Sequence, residues 1–214
     1  MLAKPIIDIR QQIERGIAIL RQGGLIAYPT DTVYGLGASM SLPQSVARIY
    51  EVKGRPRSLP LPLLLADVSQ IAEVTGKVPP SAWCFIRNFF PGALTLILPK
   101  ADSVPAIVTG GGTSVAVRIP DHPVPVAIIK GLGVPIVGTS ANISGRPSPL
   151  TAEEVCAQLG DKIDLIIDGG QCPVGKESTI VDVTGEIPVI RREGAISIEE
   201  LRRVCGNILT EKGE

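Results

Sequence analysis

Histidine is almost missing from this chain, with one ring, His122, in 214 residues. Its four cysteines, Cys84, Cys156, Cys172 and Cys205, show no CxxC spacing. Together these shortages leave no His/Cys set for a zinc ion, and reduced thiols are expected. A Ser-His-Asp hydrolase is equally unattractive, because its nucleophile would have to recruit that single ring. Aromatic residues are few: one Trp, three Tyr and three Phe. Extensive stacking on nucleic-acid bases therefore has little to rest on. Net charge is nil, with 21 basic against 21 acidic residues, so the whole molecule lacks a footprint for duplex nucleic acid or an anionic membrane. Any attraction for anions must be local. No GxxxxGK[ST] phosphate loop occurs. No stretch approaches the roughly 20 apolar residues of a membrane span, and the opening MLAKPIIDIRQQIERG has no apolar core of signal-peptide length. These absences predict a cytoplasmic protein with no membrane partner.

What is present suits one domain with a continuous core, since 44% of residues are hydrophobic. Ile9, Ile13, Ile17 and Leu20 recur at helical spacing, with Asp8 placed to cap and Gly23-Gly24 to stop the helix. LIAYPT reads as a buried strand. Ser41 and Gln44 have capping-box spacing and Pro43 suits a first turn, so a second helix runs through ARIYEV to end near Lys53. Pro60 and Pro62 confine the next strand to a late start at LLLA, and Asp67 opens a short helix. A helix from Ser81 carries Trp83, Phe85, Ile86 and Phe89 toward the core and stops at Pro91-Gly92. TLILP, SVAVRIP, PIVGTSAN, DLIIDGG, STIVDVT and IPVIRRE are strands, and TGGGT separates the first two. Further helices start at Thr151 with Glu154 and at Ser197 with Glu200. A hairpin runs through Thr184-Gly185-Glu186. The alternation of strands and helices, giving way to closely spaced strands, predicts an α/β fold with a mixed parallel and antiparallel twisted sheet flanked by helices. The polar end GNILTEKGE is expected to fray.

Local chemistry gathers in a few loops. Between residues 48 and 57, Arg48, Lys53, Arg55 and Arg57 are opposed only by Glu51. Two readings stand: a polyphosphate site, or a solvated helix end whose cations face the helix dipole. PTDTVYGLGA reads as a loop in which Thr30, Asp31 and Thr32 either orient a ligand, with Gly35 and Gly37 admitting close approach, or bond to their own turn. Arg118 ends a strand, where it clamps a carboxylate or phosphate with two parallel bonds or sits in a buried ion pair. Ser140 and Asn142 follow a strand, at the kind of sheet edge where α/β proteins place ligands, although SANISG is also an ordinary turn. Asp121-His122-Pro123 reads as a cap and helix start before it reads as catalysis. Cys172 would need activation by a group such as Lys176, and an inert thiol is expected.

Taken in order, PTDTVYGLGA, YEVKGRP, FFPGALTLIL, SVAVRIPDHP, GTSANISGRPSP and GKESTIVD resemble the YrdC family of threonylcarbamoyl-AMP synthases, whose signature is KxR followed by SxN. The resemblance runs from about residue 10 to residue 200, leaving 201–214 as a helix end and tail. It implies a YrdC-like domain with a large concave, cationic cleft. It also implies an enzyme that joins L-threonine, bicarbonate and ATP into threonylcarbamoyl-adenylate and releases pyrophosphate. The product serves the threonylcarbamoyladenosine modification of tRNAs that read ANN codons, through a downstream threonylcarbamoyl transferase. By position, the family's nucleotide contacts fall on Lys53, Arg55, Ser114, Ser140, Asn142, Ser148 and Arg192. Its threonine contacts fall on Thr32, Arg118, Gly138 through its backbone, and Ser178. Lys53 and Arg55 are expected to be catalytic, spreading charge as the α-phosphorus is attacked. Mg2+ is expected on the phosphates of ATP, with no dedicated protein metal site.

The chain departs from the family pattern at two places. Longer relatives carry an asparagine four residues beyond the KxR arginine and a histidine five beyond that, where this chain has Leu59 and Leu64. Longer relatives also append a second domain through a linker, so the expectation here is the single-domain form with a more open cleft. An alternative function uses the same cationic concavity to hold a tRNA or structured RNA without ATP chemistry. A third, carbamoyl transfer from carbamoyl phosphate, follows related domains in larger maturation enzymes. Alanine at Lys53 or Arg118 is expected to change stability by only about half a kcal/mol, as cleft-surface positions do.

Overall fold

The computed structural model describes residues 8–210, so expectations that touch residues 1–7 and 211–214 lie outside the described residues. Helix α1 (Ile9–Arg21) starts where Asp8 accepts the backbone N–H of Arg10. Its Ile13, Ile17 and Leu20 pack inward while Ile9 stays exposed. Strand β1 (Ile26–Tyr28) and strand β2 (Gly35–Ser39) pair antiparallel. This corrects the reading of PTDTVYGLGA as a loop throughout. Gly35 and Gly37 are strand residues lying across the ring of Tyr28, where a Cβ would stand 2.8 Å from ring carbons. They are glycine because the aromatic ring leaves no room for a side chain.

Helix α2 (Pro43–Lys53) has Pro in its first turn as expected, but its N-terminus has no side-chain cap. Ser41 bonds instead to Ser39, so the capping-box spacing is coincidental. Gly54 closes the helix at φ 61°, in the left-handed region that glycine enters freely. Next come β3 (Leu63–Leu64), a single turn capped by Asp67, α3 (Ile71–Val74) and α4 (Ala82–Phe89). Phe85, Ile86 and Phe89 enter the core, whereas Trp83 is 38% exposed, so not every aromatic of α4 faces inward.

Strands β4 (Leu94–Pro99) and β5 (Ser114–Arg118) form an antiparallel pair. Helix α5 (Pro123–Leu132) is capped by His122, whose Nδ1 accepts from the N–H of Val124. Strand β6 (Ile136–Ser140), helix α6 (Ala152–Leu159) and strand β7 (Leu165–Ile166) follow. Then come β8 (Thr179–Asp182), β9 (Val189–Arg192), α7 (Ile198–Cys205) and β10 (Leu209–Thr210). Thr151 and Ser197 cap their helices by accepting the N–H of Glu154 and Glu200. Strands β8 and β9 pair antiparallel around the expected turn. Within the described part of the segment expected to fray, β10 pairs parallel with β9, and Ile208 is buried.

Among the described residues the strands form one mixed sheet ordered β10-β9-β8-β4-β5-β3-β6-β2-β1-β7. Period-2 alternation decides what each face does. Leu94, Leu96, Leu98, Val115, Val117 and Val181 point to one face and join the large core with α2, α4 and α7. The opposite face is covered at one end, where Leu20, Ile26, Val124, Ile128 and Ile136 join α1 and α5 to the sheet. Further along, the same face presents Thr95, Ile97, Ala116, Arg118 and Ile180 to a cavity.

Cys84 and Cys205 form a disulfide between α4 and α7, with Cα atoms 5.8 Å apart, so the expectation of four reduced thiols is wrong for this pair. The two lie 121 residues apart in sequence, and spacing alone could not reveal them. Cys156 and Cys172 are free. No described helix is long and apolar enough to cross a membrane.

Candidate active site

The cavity on the open face of the sheet has a volume of about 620 Å³. Its lining draws together Thr32, Lys53, Arg55, Arg118, Gly138, Ser140, Asn142, Ser178 and Arg192 from separate turns. Ser114 and Ser148 fall outside the lining. Ser114 shares the β5 face with Ala116 and Arg118, while Ser148 reaches the cavity through Glu177. Five cationic side chains line the space, Lys53, Arg55, Arg118, Arg146 and Arg192, and Glu177 is the one carboxylate among the lining residues. Such an enclosure suits a multiply charged anion.

Lys53 is the most deeply placed of these cations, with 2% of its surface exposed. Its ammonium donates to the Ser140 carbonyl at 2.5 Å, the Asn142 carbonyl at 2.7 Å and Asn142 Oδ1 at 3.1 Å. The backbone adds Ser144 N–H to the Lys53 carbonyl at 2.8 Å. All three ammonium hydrogens are thereby donated to one loop, and contact with a ligand oxygen would have to replace one of those bonds. Burial, then neighbouring Arg55, push the ammonium down to about 8, and Glu177 opposes them. The loop is further closed by Ser140 Oγ donating to Asn142 Oδ1 and by Asn142 Nδ2 donating to the Arg146 carbonyl, both at 2.5 Å.

Arg55 leaves the helix just past Gly54 and donates to the Pro60 carbonyl at 3.0 Å. Tyr50 fixes the same loop by donating to the carbonyls of Leu59 and Ile107. Leu59 and Leu64 both line the cavity and present hydrocarbon there. Leu64 packs directly over Gly138, whose N–H is donated to Pro62.

At the other end, Arg118 takes the second of the readings left open by its sequence, the buried ion pair. It forms a buried ion pair with Asp31 at 2.6 Å, and donates to Thr32 Oγ1 at 2.8 Å and to the Gly92 carbonyl at 2.9 Å. Three of its five N–H groups are engaged, which leaves two for a bound carboxylate. Thr30 does bond to its own turn, accepting from the N–H groups of Thr32 and Val33. Lys53 and Arg118 are both buried, which corrects the expectation that they are cleft-surface positions. His122 caps a helix, and burial holds the Cys172 thiol above its ordinary range. The cap is as the sequence implied.

Sequence reasoning missed Glu177, Arg146 and Ser144 as lining residues. Glu177 lies inside the GKESTIVD segment beside Ser178, and that adjacency was the only signal available.

A family profile described as telomere recombination, naming Sua5, YciO and YrdC, matches residues 18–194. This chain belongs to the Sua5/YciO/YrdC family. It is 46% identical over 203 residues to the threonylcarbamoyl-AMP synthase of Bacillus subtilis strain 168, covering 94% of this chain and 59% of that relative. Among solved family structures, Pyrococcus abyssi Sua5 complexed with L-threonine superposes with a TM-score of 0.92 at 41% identity, over 96% of this chain and 60% of that one. Escherichia coli YciO superposes with a TM-score of 0.82 at 30% identity, over 90% of this chain and 93% of that one. The chain thus spans about three fifths of the length of the first two relatives. The mixed sheet flanked by helices is the fold these family members share.

Proposed function

We propose that this chain is an L-threonylcarbamoyladenylate synthase, which joins L-threonine, bicarbonate and ATP and releases pyrophosphate. One observation carries the reading: a carboxylate-binding guanidinium, Arg118, and a phosphate-suited group, Arg55 with Arg192 and the Ser140–Asn142 loop, line a single cavity. Identity of 46% to a synthase of that name supports it.

In this reading Arg118 takes the threonine carboxylate on its two remaining N–H groups, with Thr32 and Ser178 beside it. The threonine nitrogen bonds to the carbon of bicarbonate and water leaves. An oxygen of the resulting carbamate then attacks the α-phosphorus, the bond to the β-phosphate breaks, and pyrophosphate departs. Arg55 and Arg192 offset the negative charge on the phosphates, and Ser140 and Asn142 position the nucleotide. Lys53 holds the Ser140–Asn142 loop in place and adds its field. A magnesium ion arriving with ATP would supply further charge neutralisation on the phosphate oxygens. The product would pass to a transferase acting on tRNA.

The test is pyrophosphate release by the purified chain with ATP, magnesium and bicarbonate. Release that depends on L-threonine and is absent with L-alanine is expected. Release independent of threonine, or none from folded protein, would contradict the reading.

A further inference from the structure

Among the described residues, Glu177 is the one acidic side chain lining a cavity that also holds five cations. Its carboxylate accepts from Ser148 Oγ at 2.6 Å through one oxygen and pairs with Arg192 through the other. Those partners lie 29 and 15 residues away in sequence, so one side chain ties two distant segments together at the mouth of the site. Arg192 is fixed a second time by donating to the Ser178 carbonyl at 3.0 Å and 3.2 Å.

The backbone beneath Glu177 is built to keep it there. Its carbonyl accepts the N–H of Ala195 at 2.8 Å. Gly194 lies so close to the Glu177–Ser178 peptide that any side chain at 194 would collide with it. Thr179 Oγ1 then accepts from the N–H groups of Gly194 and Ile196 and donates to the Ile196 carbonyl. A carboxylate on so tightly bonded a segment is preorganised, unlike one on a mobile lid.

We propose that Glu177 is a positioning residue for the nucleotide: its carboxylate orders Arg192 and Ser148 before ATP arrives and offsets the repulsion among the clustered cations. The role rests on the synthase reading, and it assigns to the carboxylate a function separate from substrate contact. The surrounding charges agree with it. Burial first, and then Arg192, lower the pKa of the Arg55 guanidinium, and burial first, then Arg55, lower that of the Lys53 ammonium, whereas Glu177 raises both. Without the carboxylate, Arg192 would lose its partner on Nη1 and face Arg55 unopposed.

The experiment is calorimetric titration of the folded chain with magnesium-ATP and, separately, with L-threonine. Wild type is compared with Glu177→Gln, Glu177→Asp, Arg192→Ala and the Glu177→Gln/Arg192→Ala pair. Glu177→Gln is expected to weaken ATP binding at least fivefold while threonine affinity stays within twofold, and Glu177→Asp to restore part of the loss. Arg192→Ala should cost at least threefold less in the Glu177→Gln background than in wild type, a coupling that general loosening of the fold does not produce. ATP binding that is unchanged or tighter in Glu177→Gln, or costs that simply multiply, would overturn the proposal. Wild type failing to bind ATP at all would instead remove the synthase reading, and this role with it. Should Glu177→Gln not fold, Ser148→Ala takes its place, with a smaller loss of ATP affinity expected and no loss counting against the proposal.

Discussion

Lys53 and Asn142 are joined twice, the ammonium donating to both the main-chain carbonyl and the side-chain Oδ1 of the asparagine. The two motif halves, KxR and SxN, therefore form one bonded unit across 89 residues of sequence. A lysine so engaged governs the shape of its end of the cavity as much as its charge.

Replacing Lys53 by methionine removes three charge-assisted bonds and leaves loop oxygens without their donor. A loss of about 2 kcal/mol is expected at neutral pH, measured by urea unfolding. The loss should grow with pH. The folded ammonium titrates near 8, below the ordinary 10.5, so between those values the unfolded chain binds more protons and this residue's contribution to stability rises. Below about 8 the lysine is charged in both states, and the burial penalty is constant. The increase amounts to at most roughly 3 kcal/mol across the window, at about 1.4 kcal/mol per pKa unit. A difference between wild type and Lys53→Met that stays flat from pH 7 to 10 would contradict it.

The Asp31–Arg118 pair is almost closed to solvent, with 13% and 8% of the side chains exposed. Asp31→Ala strands a buried guanidinium and should cost about 3 kcal/mol. Asp31→Ala combined with Arg118→Met should cost less than the sum of the two changes, because the second substitution removes the unpaired charge. Strict additivity in chemical denaturation would mean the pair does not couple.

Tyr28 carries a fully buried hydroxyl with no hydrogen-bond partner among the described residues, beneath Gly35, Gly37 and Gly138. Its phenol is held above the ordinary range chiefly by burial. Tyr28→Phe keeps the ring that the glycines pack against and removes an unsatisfied donor, so stability should rise by about 1 kcal/mol. A thermal midpoint that falls would reveal a partner for this hydroxyl.

The free thiols should react unequally. Cys156 is exposed, whereas Cys172 is buried and its pKa is raised. Iodoacetamide under native, non-reducing conditions should label Cys156 and reach Cys172 only on unfolding. Mass spectrometry of the digested protein reads this directly, and native labelling of Cys172 would count against the packing described around it.

The helix starts at Asp8, His122, Thr151 and Ser197 were legible because a cap acts within three residues of itself. Strand alternation at TLILP and SVAVR was legible for the same local reason. Strand β2 was hidden because its glycines answer to a tyrosine on the neighbouring strand. The capping-box spacing at Ser41 misled, since its hydroxyl has a nearer partner in Ser39. In the site, the convergence of KxR, Arg118 and SxN was implied by the family resemblance. The burial of Lys53 and Arg118, the Cys84–Cys205 bond and the contacts of Glu177 arise between segments far apart in the chain, where spacing carries no information.

On the proposed function, one cavity brings threonine, bicarbonate and ATP together. Mass spectrometry of the nucleotides formed from ATP, L-threonine and carbon-13-labelled bicarbonate tests it most directly. An adenylate carrying both the amino acid and one labelled carbon, and missing when Arg118→Ala replaces the wild-type chain, is the predicted result. Folded protein that yields only ADP, or AMP with no threonine-bearing adenylate, would contradict the account.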